Sequence, residues 1–305
     1  MKDDKNLLVT GGSGLIGSTI PAQFKPSRDE LNLMNIDDIV LYLHSNQIDS
    51  IIHCAGKVGG VKANQTKLGE FFYENIIMNT NLLEAARICG VDKVVSFMST
   101  CVFPSKTKYP LVEEYIHKGE PHETNYGYAY AKRMLDVHSR AYRDQYGCNF
   151  VTIIPCNVYG CNDYYNLDDS HVIPALIHKC YLAKRDNTDF LVWGDGKAKR
   201  EFMYADDAGK IALNCLENYN DPHPLIVAPD KEYTIKQVVN YIVEIMEFDG
   251  NVVYQESEVK GQHRKPSDTT KMSENHINYK FTSLRKGLEQ SIKWFVAYYE
   301  SEARL

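Results

Sequence analysis

The 305-residue sequence has no apolar run approaching the roughly 20 residues needed to cross a bilayer, so no helical membrane span is expected. It also lacks excess positive charge: 34 lysines and arginines against 40 aspartates and glutamates give a formal net charge of -6. No basic field can then wrap a polyanion, and nucleic acid is not an expected partner, although a local pocket could still hold one phosphorylated small molecule. The 8 cysteines, at positions 54, 89, 101, 148, 156, 161, 180 and 215, show no CxxC or metal-ligand spacing, so free thiols and no metal site are expected. The opening MKDDKNLLVTGG enters a strand-like segment too soon for a secretory leader, and the expected location is cytoplasmic. Internal repeats and low-complexity tracts are absent. What is present, 44% hydrophobic and 24% charged residues, suits a folded chain with a large core.

The first half alternates short apolar runs with helically spaced ones. NLLVT, a glycine turn, IDDIVLYLHSN, DSIIHCAG, FFYENIIMNTNLLEAARICG, KVVSFMS, a helical stretch from Tyr128 to Tyr146, and NFVTIIP form a βα series. Such alternation predicts an α/β fold, a doubly wound parallel sheet with helices on both faces. From Gly160 the pattern loosens into loop-rich segments, with helices expected at SHVIPALIHKCYLAK and TIKQVVNYIVEIM. The expected division is a dinucleotide-binding unit of residues 1–160 and 201–220, and a smaller lobe of residues 161–200 and 221–305 over the carboxyl edge of the sheet.

VTGGSGLIGSTI places Gly11, Ser13, Gly14 and Gly17 in a turn directly after the first strand. In that position the first glycine permits the tight turn, the second lets a pyrophosphate approach the backbone, and the third lets the helix pack closely. Pro21 follows four residues after Gly17, so the helix must be short or kinked. No acidic residue marks the end of a second strand; Arg28 stands near that place. An arginine suits a 2′-phosphate and favours NADP(H) over NAD, unless Arg28 only pairs with a neighbour such as Glu30.

Tyr128-x-x-x-Lys132 puts a phenol and an ammonium one helical turn apart. A neighbouring lysine should lower the tyrosine pKa and make it a proton donor and acceptor. Ser99 lies at the end of an intervening strand, and Cys101 two residues beyond it. By themselves Cys101 reads as a core thiol and His171 as a helix-cap or core histidine.

With these residues in place, the chain resembles the extended short-chain dehydrogenase/reductase family. Within that family it looks closest to the branch that epimerises and reduces a GDP-linked 4-keto-6-deoxy sugar. The likeness runs through TGGSGLIG, RDELNL, AGKVGGVKAN, STCVFP, GYAYAK, PCNVYG, SHVIPALI, VWGDGKAKREFMYADD and KGQHRK. It implies a Rossmann-like fold, Ser99, Tyr128 and Lys132 as the reductase triad, and Cys101 and His171 as the pair moving protons at C3 and C5. Lys132 would also hold the nicotinamide ribose. Lys179, Arg200 and Lys265 would hold the diphosphate, Trp193 would pack on sugar or base, and Asn157 and the backbone of Val172 would lie near sugar or nicotinamide. A homodimer through the helices Thr66 to Ile88 and Tyr128 to Tyr146 is implied as well.

The expected activity is 3,5-epimerisation followed by NADPH-dependent C4 reduction. Three alternatives stay open: a plain 4-keto reductase, an epimerase/reductase on another GDP- or UDP-linked 4-keto sugar, and a non-catalytic NADP-binding sensor.

Overall fold

Short β-branched and leucine-rich runs form strands, and the longer periodic segments form helices, in the computed structural model of the chain, which describes residues 6–255, 264–301 and 303. The first half contains β1 (Leu7–Thr10), α1 (Ile36–Ser45), β2 (Ser50–His53), α2 (Val61–Thr66), α3 (Leu68–Ile88), β3 (Lys93–Phe97), α4 (Tyr126–Tyr146) and β4 (Phe150–Pro155). Next come β5 (Asn157–Tyr159), α5 (Val172–Asp186), β6 (Phe190–Trp193), β7 (Lys199–Tyr204) and α6 (Ala205–Asn218). The remainder is β8 (Leu225–Val227), β9 (Glu232–Thr234), α7 (Ile235–Ile245), β10 (Val252–Gln255), α8 (Thr270–Glu274) and α9 (Leu284–Tyr298).

The expected parallel sheet is present, with strand order β1-β2-β3-β4-β8. In its register Leu8 lies beside Ile51, Ile52 beside Val95, and Val95 beside Val151. Every residue of β1 to β4 is buried, as a sheet covered on both faces requires. Leu43 of α1, Leu82 and Leu83 of α3 and Leu135 of α4 pack on one face. Ala208, Ile211, Ala212 and Cys215 of α6 pack on the other.

The helix expected after Gly17 is a single 3-10 turn, Gly17–Thr19, and Ile20 is already extended ahead of Pro21. That conformation follows from the steric demand of proline on its predecessor. The second strand shrinks to one bridge, with the Val9 N–H donating to Phe24 O (2.9 Å) and the Phe24 N–H to Leu7 O (3.2 Å). Helix α6 packs directly against the short Gly17–Thr19 turn. A Cβ at its Gly209 would fall 2.4 Å from Thr19 Oγ1, so only glycine permits that approach.

The second unit has its own core, built from α5, α7, α9 and the strands around them, including Phe190, Phe202, Ile242, Leu288 and Phe295. Strand β7 pairs parallel with β5 and antiparallel with β9, and β6 pairs parallel with β10. The boundaries differ from the sequence reading: β5 and residues 201–204 of β7, assigned above to the dinucleotide-binding unit, lie in the separate β5-β7-β9 sheet and put Tyr159, Phe202 and Tyr204 into the second core. Strand β8, assigned above to the lobe, is the edge of the main sheet, with Ile154 beside Ile226. Its three residues are buried there, and on its open side the Glu113 carboxyl accepts the Ile226 N–H (2.8 Å).

Candidate active site

The glycine turn is shaped for a dinucleotide. Gly11 has φ +67, and the Gly14 N–H donates to its carbonyl (2.9 Å). A Cβ at Gly17 would sit 2.2 Å from Gly11 O, and one at Gly11 2.8 Å from the Ala55 nitrogen. The turn therefore closes on itself and on the loop after β2, leaving backbone where a pyrophosphate would rest. Ser13 and Arg28 are exposed. The Arg28–Glu30 pair does not form: Glu30 accepts the Ser27 N–H (2.7 Å), and among the described residues Arg28 has no hydrogen bond or ion pair. Lys25, which the sequence reading passed over, lays its stem on Gly12 and donates to Ser18 O (3.2 Å).

Tyr128 and Lys132 lie in the first turns of α4, and both are buried. Lys132 Nζ donates to Phe97 O (3.0 Å) at the end of β3 and lies 5.9 Å from the Tyr128 ring centroid. Ser99 caps the 3-10 turn Thr100–Val102, its Oγ accepting the Cys101 N–H at 3.4 Å. Cys101 packs against a small cluster of Tyr128, Phe71 and Ala63. The end of β3 and the start of α4 thus bring Ser99, Cys101, Tyr128 and Lys132 to one place.

One electrostatic expectation needs correction. Tyr128 has its pKa raised well above the ordinary value, by burial first and by Cys101 second. The lysine therefore does not produce a phenolate in this state, because desolvation of the ring outweighs it. Burial likewise raises the Cys101 thiol, while Ser99, Lys265 and Lys132 pull it down. The same burial lowers Lys132 and Lys265 to about 8 each, and Cys101 opposes that shift in both.

Lys265 was expected on the diphosphate; in the structure its Nζ donates to Thr100 O (2.7 Å), directly beside Cys101. The preceding stretch, residues 260–263 of KGQHRK, lies outside the described residues.

His171 occupies the N-cap position of α5, but its side chain makes no capping hydrogen bond. It is exposed at the surface, yet the protein around it disfavours the imidazolium and lowers its pKa. The loop before it is seated on the KVGG segment by the Gly60 N–H donating to Asp169 O (2.6 Å).

Lys179 and Trp193, read separately in the sequence, are one unit: the Lys179 Nζ stands 3.6 Å from the Trp193 ring centroid. Arg200 donates to Lys199 O (2.7 Å), and burial lowers its pKa. The Asn157 amide donates to Glu201 O (2.9 Å), and Val172 is exposed at the start of α5.

Several residues were missed. The buried Asn75 accepts the Lys57 N–H (3.0 Å) and donates to Phe71 O (2.7 Å), fixing the loop at Gly56 against Lys132. Asn79 donates to Ala131 O (3.2 Å) and accepts from His53 Nε2 (2.9 Å), whose Nδ1 meets Thr10 Oγ1 at 2.7 Å. This chain ties the glycine turn to the residue before Lys132. Two asparagines one helical turn apart on the buried face of α3 were the available signal.

Comparison with known proteins adds the following. The family model "NAD dependent epimerase/dehydratase family" matches residues 7–228. GDP-L-fucose synthase of Dictyostelium discoideum is 41% identical, over 97% of this chain and 97% of its own. GDP-L-colitose synthase of Yersinia pseudotuberculosis is 34% identical, over 95% of this chain and 97% of its own. The crystal structure of a GDP-L-fucose synthetase from Naegleria fowleri bound to NADP is 34% identical, covers 100% of this chain and 96% of its own, and superposes with a TM-score of 0.94.

Proposed function

The chain belongs to the NAD dependent epimerase/dehydratase family, and on that premise we propose that it converts GDP-4-keto-6-deoxy-D-mannose to GDP-L-fucose by 3,5-epimerisation and NADPH-dependent C4 reduction. One observation carries this reading beyond a plain reductase. The thiol of Cys101 packs on Tyr128, under the influence of the Lys132 and Lys265 ammonium groups, in a chain that aligns end to end with GDP-L-fucose synthases.

The C4 ketone acidifies the hydrogens at C3 and C5, and inversion needs one group to take a proton and another to return one from the opposite face. Cys101 and His171 are those groups. Burial raises the Cys101 thiol, and Ser99 and the two ammoniums oppose it. At each carbon the thiolate takes the proton and the His171 imidazolium returns one from the opposite face, its lowered pKa easing that release. Tyr128 stays protonated because it is buried, which suits a donor to O4 as charge develops there. Ser99 steadies that oxygen, and Lys132, anchored on Phe97 O, orients the nicotinamide ribose. Bound NADPH supplies the hydride. Gly11, Ser13, Gly14 and Gly17 hold its pyrophosphate, and Arg28, without a protein partner among the described residues, takes the 2′-phosphate.

In this proposal Lys179 and Arg200 hold the sugar-nucleotide diphosphate, and Trp193, Asn157 and Val172 lie beside its base or sugar. Exposed apolar residues on α3 and α4 (Phe72, Tyr73, Ile88, Val137 and Tyr146) support a homodimer through those helices. The eight unpaired cysteines support a reducing, cytoplasmic setting. No helix among the described residues is long and apolar enough to cross a membrane.

The test is NADPH oxidation with GDP-4-keto-6-deoxy-D-mannose and NMR identification of the product. GDP-L-fucose supports the assignment; the C3/C5-unchanged 4-alcohol makes the enzyme a simple 4-reductase, and no oxidation at all refutes it for this sugar.

A further inference from the structure

Glu201 lies on β7 next to Arg200 and is only 5% exposed. Both of its carboxylate oxygens are spent on one residue: the Ser267 N–H donates to Oε1 (2.9 Å) and the Ser267 O–H to Oε2 (2.6 Å). Burial pushes this carboxyl up to about 7, Ser267 opposes the shift, and Glu232 and Asp230 add to it. The Arg264 guanidinium, which Glu201 also influences, is paired with Glu232 rather than with Glu201. Keeping a carboxylate in so unfavourable a place is costly, and its geometry shows what it holds.

Ser267 belongs to a short extended strap. Opposite Glu201 the strap is bridged to Leu111, whose N–H donates to Pro266 O (2.8 Å) and whose carbonyl accepts the Asp268 N–H (2.8 Å). Two residues before Ser267, the same strap carries Lys265, whose ammonium reaches Thr100 O in the turn that presents Cys101. The ammonium has no acidic partner among the groups that shift its pKa other than the Cys101 thiol itself. Its position therefore depends on the backbone of the strap.

We propose that Glu201 is a positioning residue for the thiol chemistry: by gripping both polar hydrogens of Ser267 it fixes the strap so that the Lys265 ammonium stays beside Cys101. The link to sugar epimerisation rests on the function proposed above; the link between Glu201, Lys265 and the Cys101 thiol does not. Hydrogen bonding rather than charge is the device. A glutamine keeps an acceptor for the Ser267 N–H and a partner for its hydroxyl, whereas an alanine keeps neither.

The experiment is the pH dependence of iodoacetamide alkylation at Cys101 in the intact, substrate-free protein, read by peptide mass spectrometry so that the other cysteines do not interfere. Lys265→Met is expected to raise the Cys101 midpoint by half a unit or more, about threefold slower alkylation at a fixed pH below it. Glu201→Ala is expected to raise it similarly, Ser267→Ala to raise it less, and Glu201→Gln to restore it nearly to the wild-type value.

The proposal is overturned if Lys265→Met leaves the midpoint unmoved. It is equally overturned if Glu201→Ala and Ser267→Ala lower the melting temperature but keep the wild-type midpoint, since that marks a purely structural contact. Should Glu201→Ala not fold, Ser267→Ala decides. A protein that shows these shifts yet does not turn over the sugar nucleotide refutes the proposed function and leaves the positioning role standing.

Discussion

Burial governs the chemistry of individual residues at the end of β3. Tyr128 is held protonated, Lys132 is eased toward neutrality, and Cys101 is balanced between an apolar cluster and two ammoniums. Tyr128→Phe removes the proton donor without disturbing the cofactor turn. NADPH oxidation should fall about 10²–10⁴-fold while NADPH binding, followed by fluorescence, is retained. Gly17→Ala should behave in the opposite way. Its Cβ would meet Gly11 O at 2.2 Å, so the turn must open and NADPH affinity must drop, with no catalytic group altered. The glycine turn and the Tyr128–Lys132 pair could be singled out in the sequence from their spacing and their place in the βα series, whereas the part given to Ser99 came from the family resemblance. The sign of the Tyr128 shift was not legible, because desolvation depends on Phe71 and Ala63, which come from elements distant in sequence. Lys265 was legible as a cation but not in its place, since 165 positions separate it from Thr100.

Among the elements, α4 must hold Tyr128 and Lys132 rigidly, and Asp136 anchors it. The buried Asp136 carboxylate accepts from His117 Nε2 (2.6 Å) and from Arg140 Nε (3.0 Å) and Nη2 (2.9 Å). Burial would raise its pKa, but these hydrogen bonds prevail and hold it below the usual value. Its stabilisation is therefore present above the unfolded-state pKa and lost as pH falls through the lower folded one. Asp136→Ala should cost roughly 1–3 kcal/mol in denaturant unfolding at neutral pH, with less loss in strong acid.

His53 has the complementary effect. Burial drives its pKa from 6.5 down to about 3, so the unfolded chain takes up a proton that the folded one refuses. Stability is complete above pH 6.5 and declines as pH falls toward 3. His53→Gln should flatten that slope in unfolding midpoints measured across this range, even though it lowers stability at pH 7.

At this scale the sequence was informative where periodicity is strong: β1, α1, β2, α3, β3, α4, β4, α5 and α7 fall where they were expected. Helices α6 and α9 were not singled out. The Pro21 signal correctly shortened the first helix but could not show that α6 would pack against the short turn.

In the whole molecule, one covered sheet presents the cofactor turn and the catalytic turn along its carboxyl edge, and a second unit packs over that edge. The Gly60–Asp169 bond and the Lys265–Thr100 bond are two of its contacts there. Such contacts are invisible to local patterning, so the sequence revealed that a lobe exists but not how it meets the site. The outward faces of α3 and α4 carry apolar side chains that a second copy can cover. Light scattering should give twice the mass of one chain, and Phe72→Asp combined with Val137→Asp should yield monomers.

The central claim is that one active site both epimerises and reduces. It is tested most directly by turnover of GDP-4-keto-6-deoxy-D-mannose with NADPH in deuterated water, comparing wild type with Cys101→Ser by NMR and mass analysis of the product. The account predicts a wild-type product carrying solvent deuterium at C3 and C5, and a Cys101→Ser variant that has lost that incorporation while still binding NADPH. A wild-type product reduced at C4 with no solvent deuterium, or a Cys101→Ser variant that exchanges as fast as wild type, would contradict it.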